Sequence, residues 1–191
     1  MVSVVITGFG AFTPLGSDAA STWENLLAGK TNITTLTEDW AEELPVRFAA
    51  KAIADPLNYL DRVTSRRLDR CSQFALIAGL EAWQDAGLAE NNLVDPSRLC
   101  VSVGIGIAGL QSLLANWDIQ KNGRPRNVSP FTVPMLMANA PAANLALQLQ
   151  ATGSVHAPVS ACASGNEAIS VGLDQLLLDR CDVAVVGGSE A

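Results

Sequence analysis

The sequence predicts an α/β fold in which helices cover a sheet. Three observations carry this. Short, nearly continuous apolar runs alternate with segments of helical periodicity. Several of those runs end in glycine-bearing turns, where a strand would hand over to a helix. Hydrophobic residues make up 49% of the 191 residues, while aromatic residues make up 5% and charged residues 16%. That composition suits helices layered on buried strands.

The elements follow in chain order. Ser3 to Thr7 reads as a buried strand, and Gly8-Phe9-Gly10 as its turn. Ser17 or Ser21 can cap a helix over Thr22 to Ala28. From Gly29 to Tyr59 the pattern is irregular, with Pro45 and Pro56 as breakers. Phe74, Ala75, Ile77, Ala78, Leu80 and Trp83 share one helical face, so a long helix is expected over Ser65 to Ala86, closed by Gly87. Leu99 to Ile105 is a strand, Leu110 to Ile119 a helix, and Asn122 to Pro130 a basic loop punctuated by proline. Pro134 to Gln150 reads as a helix kinked at Pro141. The strand Val155 to Val159, the helix Gly165 to Leu178 and the strand Asp182 to Val186 complete the pattern.

Bulk properties exclude several function classes. A chain of 191 residues is one domain, or half of a larger pseudo-symmetric one. Its net charge of −7 argues against general nucleic-acid binding. The most apolar stretch, Cys100 to Leu110, is too short to span a membrane. No secretion signal precedes the first strand, so the chain reads as cytoplasmic. Cys71, Cys100, Cys162 and Cys181 form no C-x-x-C pair, and with one histidine they make no standard zinc cluster. No metal and no cofactor are expected.

Cys162 carries the most chemical information. It lies in Val159-Ser160-Ala161-Cys162-Ala163-Ser164-Gly165-Asn166-Glu167, where an apolar strand turns through small residues into a helix. Ser164 and Glu167 are spaced as a capping box. A thiol at such a corner sits beside unpaired N–H groups and the positive end of a helix, which favours a thiolate and a nearby oxyanion. That suits a nucleophile accepting an acyl group. Cys71, Cys100 and Cys181 read instead as core thiols. His156, six residues before Cys162 on an extended strand, reads as structural.

Two further patterns bear on function. Gly104-Ile105-Gly106-Ile107-Ala108-Gly109 matches G-x-G-x-x-G after a strand, yet nothing acidic falls between Asp118 and Glu167 to hold a ribose, and a Pro-rich loop follows. Close backbone approach to another chain or an acyl ligand explains the glycines better. Arg62, Arg66, Arg67 and Arg70, with Lys121, Arg124 and Arg126, hold seven of the 12 Lys and Arg residues. They are either solvated helix ends, with Asp61 and Asp69 as partners, or a docking patch for an acidic partner.

These residues resemble the β-ketoacyl-[acyl-carrier-protein] synthases, the condensing enzymes of fatty-acid and polyketide synthesis. The resemblance runs from Val4-Val5-Ile6-Thr7-Gly8 and Pro14-Leu15-Gly16 through Trp23 to Gly29, Ser65-Arg66-Arg67-Leu68-Asp69, Ser129 to Pro134 and Asn139. The run Ser160-Ala161-Cys162-Ala163-Ser164-Gly165, with Glu167-Ala168-Ile169, is similar to the nucleophile motif of the actinobacterial elongating branch. The resemblance implies a layered thiolase-like fold of which this chain supplies the N-terminal half, with the C-terminal half absent from it. It implies that Cys162 takes an acyl chain from acyl-acyl-carrier protein, and that malonyl-acyl-carrier protein then loses carbon dioxide and attacks the thioester. The Cys162 backbone N–H would supply one oxyanion donor. Ile107 matches a position lining the acyl channel. Leu136 and Met137 match a segment reaching the partner subunit's channel, which implies a homodimer or a heterodimer with a synthase partner. Arg66 and Arg67 match basic positions that dock carrier protein, although Val63 stands where relatives carry lysine. The family's two catalytic histidines, its lysine and its second oxyanion loop belong to the other half, and His156 matches neither histidine. The alternative is a non-catalytic fragment or an interaction module that binds carrier protein or a synthase.

Overall fold

The computed structural model describes residues 3–90 and 94–191. Its centre is a three-stranded parallel sheet of β3 (Leu99–Gly104), β4 (Val155–His156) and β5 (Val183–Gly188), in the order β4-β3-β5. Every residue of β3 is buried, as expected for a middle strand covered on both faces. Val101↔Val185 and Gly104↔Gly188 are in register, so β3 and β5 end together.

Alternation along the strands assigns the two faces. Val101, Val103 and Val185 pack against Ala75 and Leu76 of α3 (Arg70–Asp85) and Ala142, Leu145 and Ala146 of α6 (Ala140–Gln148). On the opposite face, α7 (Ser164–Leu177) lies over β3 and β5. Gly172 of α7 comes so near that a Cβ there would stand 2.3 Å from Val186 Cγ1. The result is one α-β-α sandwich with the Cys162 corner at the C-terminal end of the sheet.

Several expected elements take a different form. Ser3 to Thr7 is not a strand. Val5 and Ile6 are 73% and 77% exposed, and a cavity of about 300 Å³ separates residues 4–8 from Val183–Val186, so no ladder joins them. The segment is instead hung on α3 by carboxylates: Phe9 N–H donates to Asp85 and Ala11 N–H to Glu81. The cap of α1 (Ala19–Leu27) is Asp18, whose side chain accepts from Ser21 N–H, and not Ser17 or Ser21. Within 29–59 the strands β1 (Ile33–Thr35) and β2 (Phe48–Ala50) form an antiparallel pair where irregular chain was expected.

The long helix starts five residues later than expected. α2 (Arg62–Ser65) stops, and Asp69 caps a fresh start at Arg70 by accepting from Cys71 N–H. Gly87 follows the end of α3 with φ +71°, as its type predicts. The expected kinked helix is two helices, α5 (Thr132–Leu136) and α6, because Pro141 falls in the first turn of α6, where no N–H is needed. The intervening α4 runs Leu110–Lys121. β4 keeps only two of the five residues expected.

Candidate active site

Cys162 is exposed, whereas Cys71, Cys100 and Cys181 are buried. Burial pushes the Cys71 and Cys181 thiols up to about 11 and raises that of Cys100 as well. The core-thiol expectation for these three therefore agrees with their surroundings.

The corner holding Cys162 is built by backbone geometry. Ala161 adopts φ +50°, a left-handed conformation uncommon outside glycine, and this turns the chain sharply just before the cysteine. The capping box expected from Ser164 and Glu167 does not form. Ser164 is the first residue of α7, Ala163 occupies the cap position, and no side chain caps the helix. The Ser164 hydroxyl is buried and tied to the turn instead. It accepts from Ser160 N–H at 2.8 Å and lies 2.7 Å from the Ala161 carbonyl and 3.1 Å from that of Ile105, either of which it can donate to. A serine reaching back over the turn serves the corner better than a cap, because it fixes both flanks of the cysteine.

Gly104 lets the helix start come this close. A Cβ at Gly104 would lie 2.1 Å from the Ser164 carbonyl oxygen. The glycines of the G-x-G-x-x-G run thus serve close packing, as the missing ribose-binding acid suggests.

A cavity of about 500 Å³ opens at this end of the sheet, lined among others by Ile107, Cys162, Gly165 and Glu190. The structure brings Ile107 and Cys162 together there. Leu136 and Met137 do not line it, although Gly109 packs against the Leu136 backbone and so links their segment to the Ile107 loop. Arg66 and Arg67 are exposed at the junction of α2 and α3, outside the cavity. The carboxylates offered as their partners are spent elsewhere: Asp61 accepts from Val63 and Thr64 N–H, and Asp69 from Cys71 N–H and Ser112. Arg67 instead stacks over the Phe131 ring at 5.3 Å. His156 is no part of the Cys162 cavity.

Glu190 was not singled out in the sequence, yet it faces this cavity. The available signal was position, since residues just past the C-terminal end of a parallel strand border the ligand crevice of α/β folds. Among the described residues no cluster of three or more His, Cys, Asp or Glu could hold a metal ion, and no helix is long and apolar enough to cross a membrane.

The chain is similar to known proteins in sequence and in fold. The family model "Beta-ketoacyl synthase, N-terminal domain" matches residues 1–191. The chain is 36% identical over 189 residues to the 3-oxoacyl-[acyl-carrier-protein] synthase 2 of Mycobacterium tuberculosis, covering 98% of this chain and 45% of that protein. It therefore spans about half the length of the curated relatives it matches. A solved β-ketoacyl synthase from Burkholderia phymatum STM815 superposes with a TM-score of 0.77 at 27% identity, over 95% of this chain and 45% of that one. A type II PKS ketosynthase, solved with its acyl-carrier protein and bound to the hexaketide, shares the fold with a TM-score of 0.80 at 19% identity, over 98% and 51%.

Proposed function

Because the chain belongs to the β-ketoacyl synthase family, as its N-terminal domain along the whole length, we propose that it carries the acyl-accepting half of a decarboxylating condensation. The observation that carries this reading is the single exposed cysteine, Cys162, set on a strained turn at the head of α7 and open to a cavity of about 500 Å³. The Cys162 thiolate attacks the thioester carbonyl of acyl-acyl-carrier protein, the carrier's thiol leaves, and the acyl chain is held as a thioester. Malonyl-acyl-carrier protein then loses carbon dioxide, and its carbanion displaces Cys162 to give 3-oxoacyl-acyl-carrier protein. The pathway is fatty-acid or polyketide synthesis.

Decarboxylation places negative charge on the malonyl thioester oxygen, which needs donors aimed at it. The one histidine, His156, lies on β4 and outside the cavity. These 191 residues thus suit acyl transfer and not the second step. That same observation favours the alternative reading, a module that binds carrier protein without condensing anything.

Intact mass after incubation with an acyl-pantetheine, together with carbon-dioxide release from added malonyl-carrier protein, separates the readings. We expect a thioester on Cys162, abolished in Cys162→Ala, and no carbon-dioxide release by this chain alone. Absence of any thioester would leave only the binding module. Carbon-dioxide release would overturn the assignment of that step to groups outside these residues.

A further inference from the structure

Glu190 approaches the candidate nucleophile from the far side of the cavity. Its Oε2 accepts from two successive backbone amides, Gly106 N–H at 3.0 Å and Ile107 N–H at 2.9 Å. Those amides belong to the loop leaving β3, 83 and 84 residues away in the chain. Hydrogen bonds to a carboxylate are shorter and stronger than neutral ones, and one oxygen taking two donors fixes the loop at adjacent residues.

The surroundings hold Glu190 in this pose. Ser189, its neighbour, donates its N–H to the Gly104 carbonyl at 3.1 Å and its hydroxyl to the Cys71 carbonyl at 2.6 Å. The backbone before Glu190 is thereby pinned both to the end of β3 and to the start of α3. A Cβ at Gly106 would stand 2.8 Å from Glu190 Oε2, so a larger residue there would displace the carboxylate from this pose. The loop that Glu190 holds carries Ile107, which is 63% exposed and lines the same cavity as Cys162.

We propose that Glu190 is a positioning residue that sets which acyl chains reach Cys162, by holding the Gly106–Ile107 backbone so that the Ile107 side chain narrows the cavity. This rests on the acyl-accepting role proposed for Cys162. With the hold removed, Ile107 is free to withdraw and longer chains gain relative to short ones.

The test uses the whole chain and the variants Glu190→Ala and Glu190→Gln. Rates of thioester formation on Cys162 are measured by intact mass with hexanoyl- and dodecanoyl-pantetheine, and amide exchange at Gly106 and Ile107 by NMR. In Glu190→Ala the long-to-short rate ratio rises by about fivefold and the two amides exchange about tenfold faster, the scale of losing hydrogen bonds of ordinary strength. Glu190→Gln, which keeps an acceptor oxygen, restores both to near the parent values. An unchanged ratio in Glu190→Ala overturns the proposal, as does a Gln variant whose ratio follows Ala while its two amides exchange as in the parent, because the ratio would then track charge and not the hold on the loop. A parent chain that forms no thioester with either probe removes the acyl-accepting reading itself. In that event the amide exchange still reports whether Glu190 holds the loop.

Discussion

At the scale of single residues, the four thiols divide by environment. Cys162 stands exposed on the turn, whereas burial pushes the Cys71 and Cys181 thiols up to about 11. A thiol reacts as its thiolate, a form that burial disfavours, and burial also restricts access to the sulfur. Iodoacetamide labelling followed by peptide mass spectrometry will therefore find exposed Cys162 modified at least about tenfold faster than buried Cys71 or Cys181 at pH 7. Labelling of a buried cysteine at a comparable rate would show that the core opens and that exposure does not select Cys162. The cysteine and its strand-to-helix corner were legible because small residues crowd around one thiol in the sequence. The roles of Ser164 and Glu190 were not. Ser164 bonds to Ile105 across 59 residues and Glu190 to Ile107 across 83, and a local pattern contains no trace of such partners.

At the scale of elements, the site depends on how closely α7 starts above the end of β3. Gly104→Ala would drive a methyl group to 2.1 Å from the Ser164 carbonyl, so the helix start must move. We expect a loss of about 1–3 kcal/mol, the usual cost of overpacking, together with slower labelling of Cys162. Gly187→Ala, on the neighbouring strand with nothing within 4 Å of the added Cβ, will be nearly neutral. Chemical denaturation of the two variants checks this, and equal losses would refute the packing argument. The junction of α2 and α3 yields a second prediction. Asp61 and Asp69 are committed to backbone amides, so neither pairs with Arg66 or Arg67, and the proposed docking of an acidic partner there can be tested. Reversing both to Glu will weaken acyl-carrier-protein binding by at least about tenfold at low salt and flatten its salt dependence, because such rim charges act on association. Calorimetric affinities unchanged by the reversal would reduce the cluster to a solvated helix end.

At the scale of the whole molecule, the surface is larger than a compact chain of this size needs. It measures 11924 Å², against about 8,700 Å² for a monomer of equal mass. Large apolar residues are exposed in several segments: Val5 and Ile6 near the start, Trp23, Leu26 and Leu27 on α1, and Leu113, Leu114 and Trp117 on α4. In addition, β4 is an edge strand whose Val155 is exposed, as is Val159 just beyond it. Water penalises both features. We therefore expect the chain to associate, either with its own copy or with a synthase partner. Mass photometry across nanomolar to micromolar concentrations checks this, and a soluble monomer throughout that range would count against it.

The α/β alternation, the strand β3, the helix α7 and the cysteine corner between β4 and α7 were all readable in the sequence, because each rests on local periodicity and small-residue turns. Tertiary structure alone decided the rest. Residues 3–7 carry a strand's composition, yet they form no ladder because a strand exists only where a backbone neighbour accepts its hydrogen bonds. The long helix starts at Arg70 and not at Ser65 because the Asp69 carboxylate caps its first turn and also reaches Ser112, a partner 43 residues away. Capping, pairing and cavity lining depend on which distant groups meet, and those meetings are fixed by packing of the whole chain and not by the order of neighbouring residues.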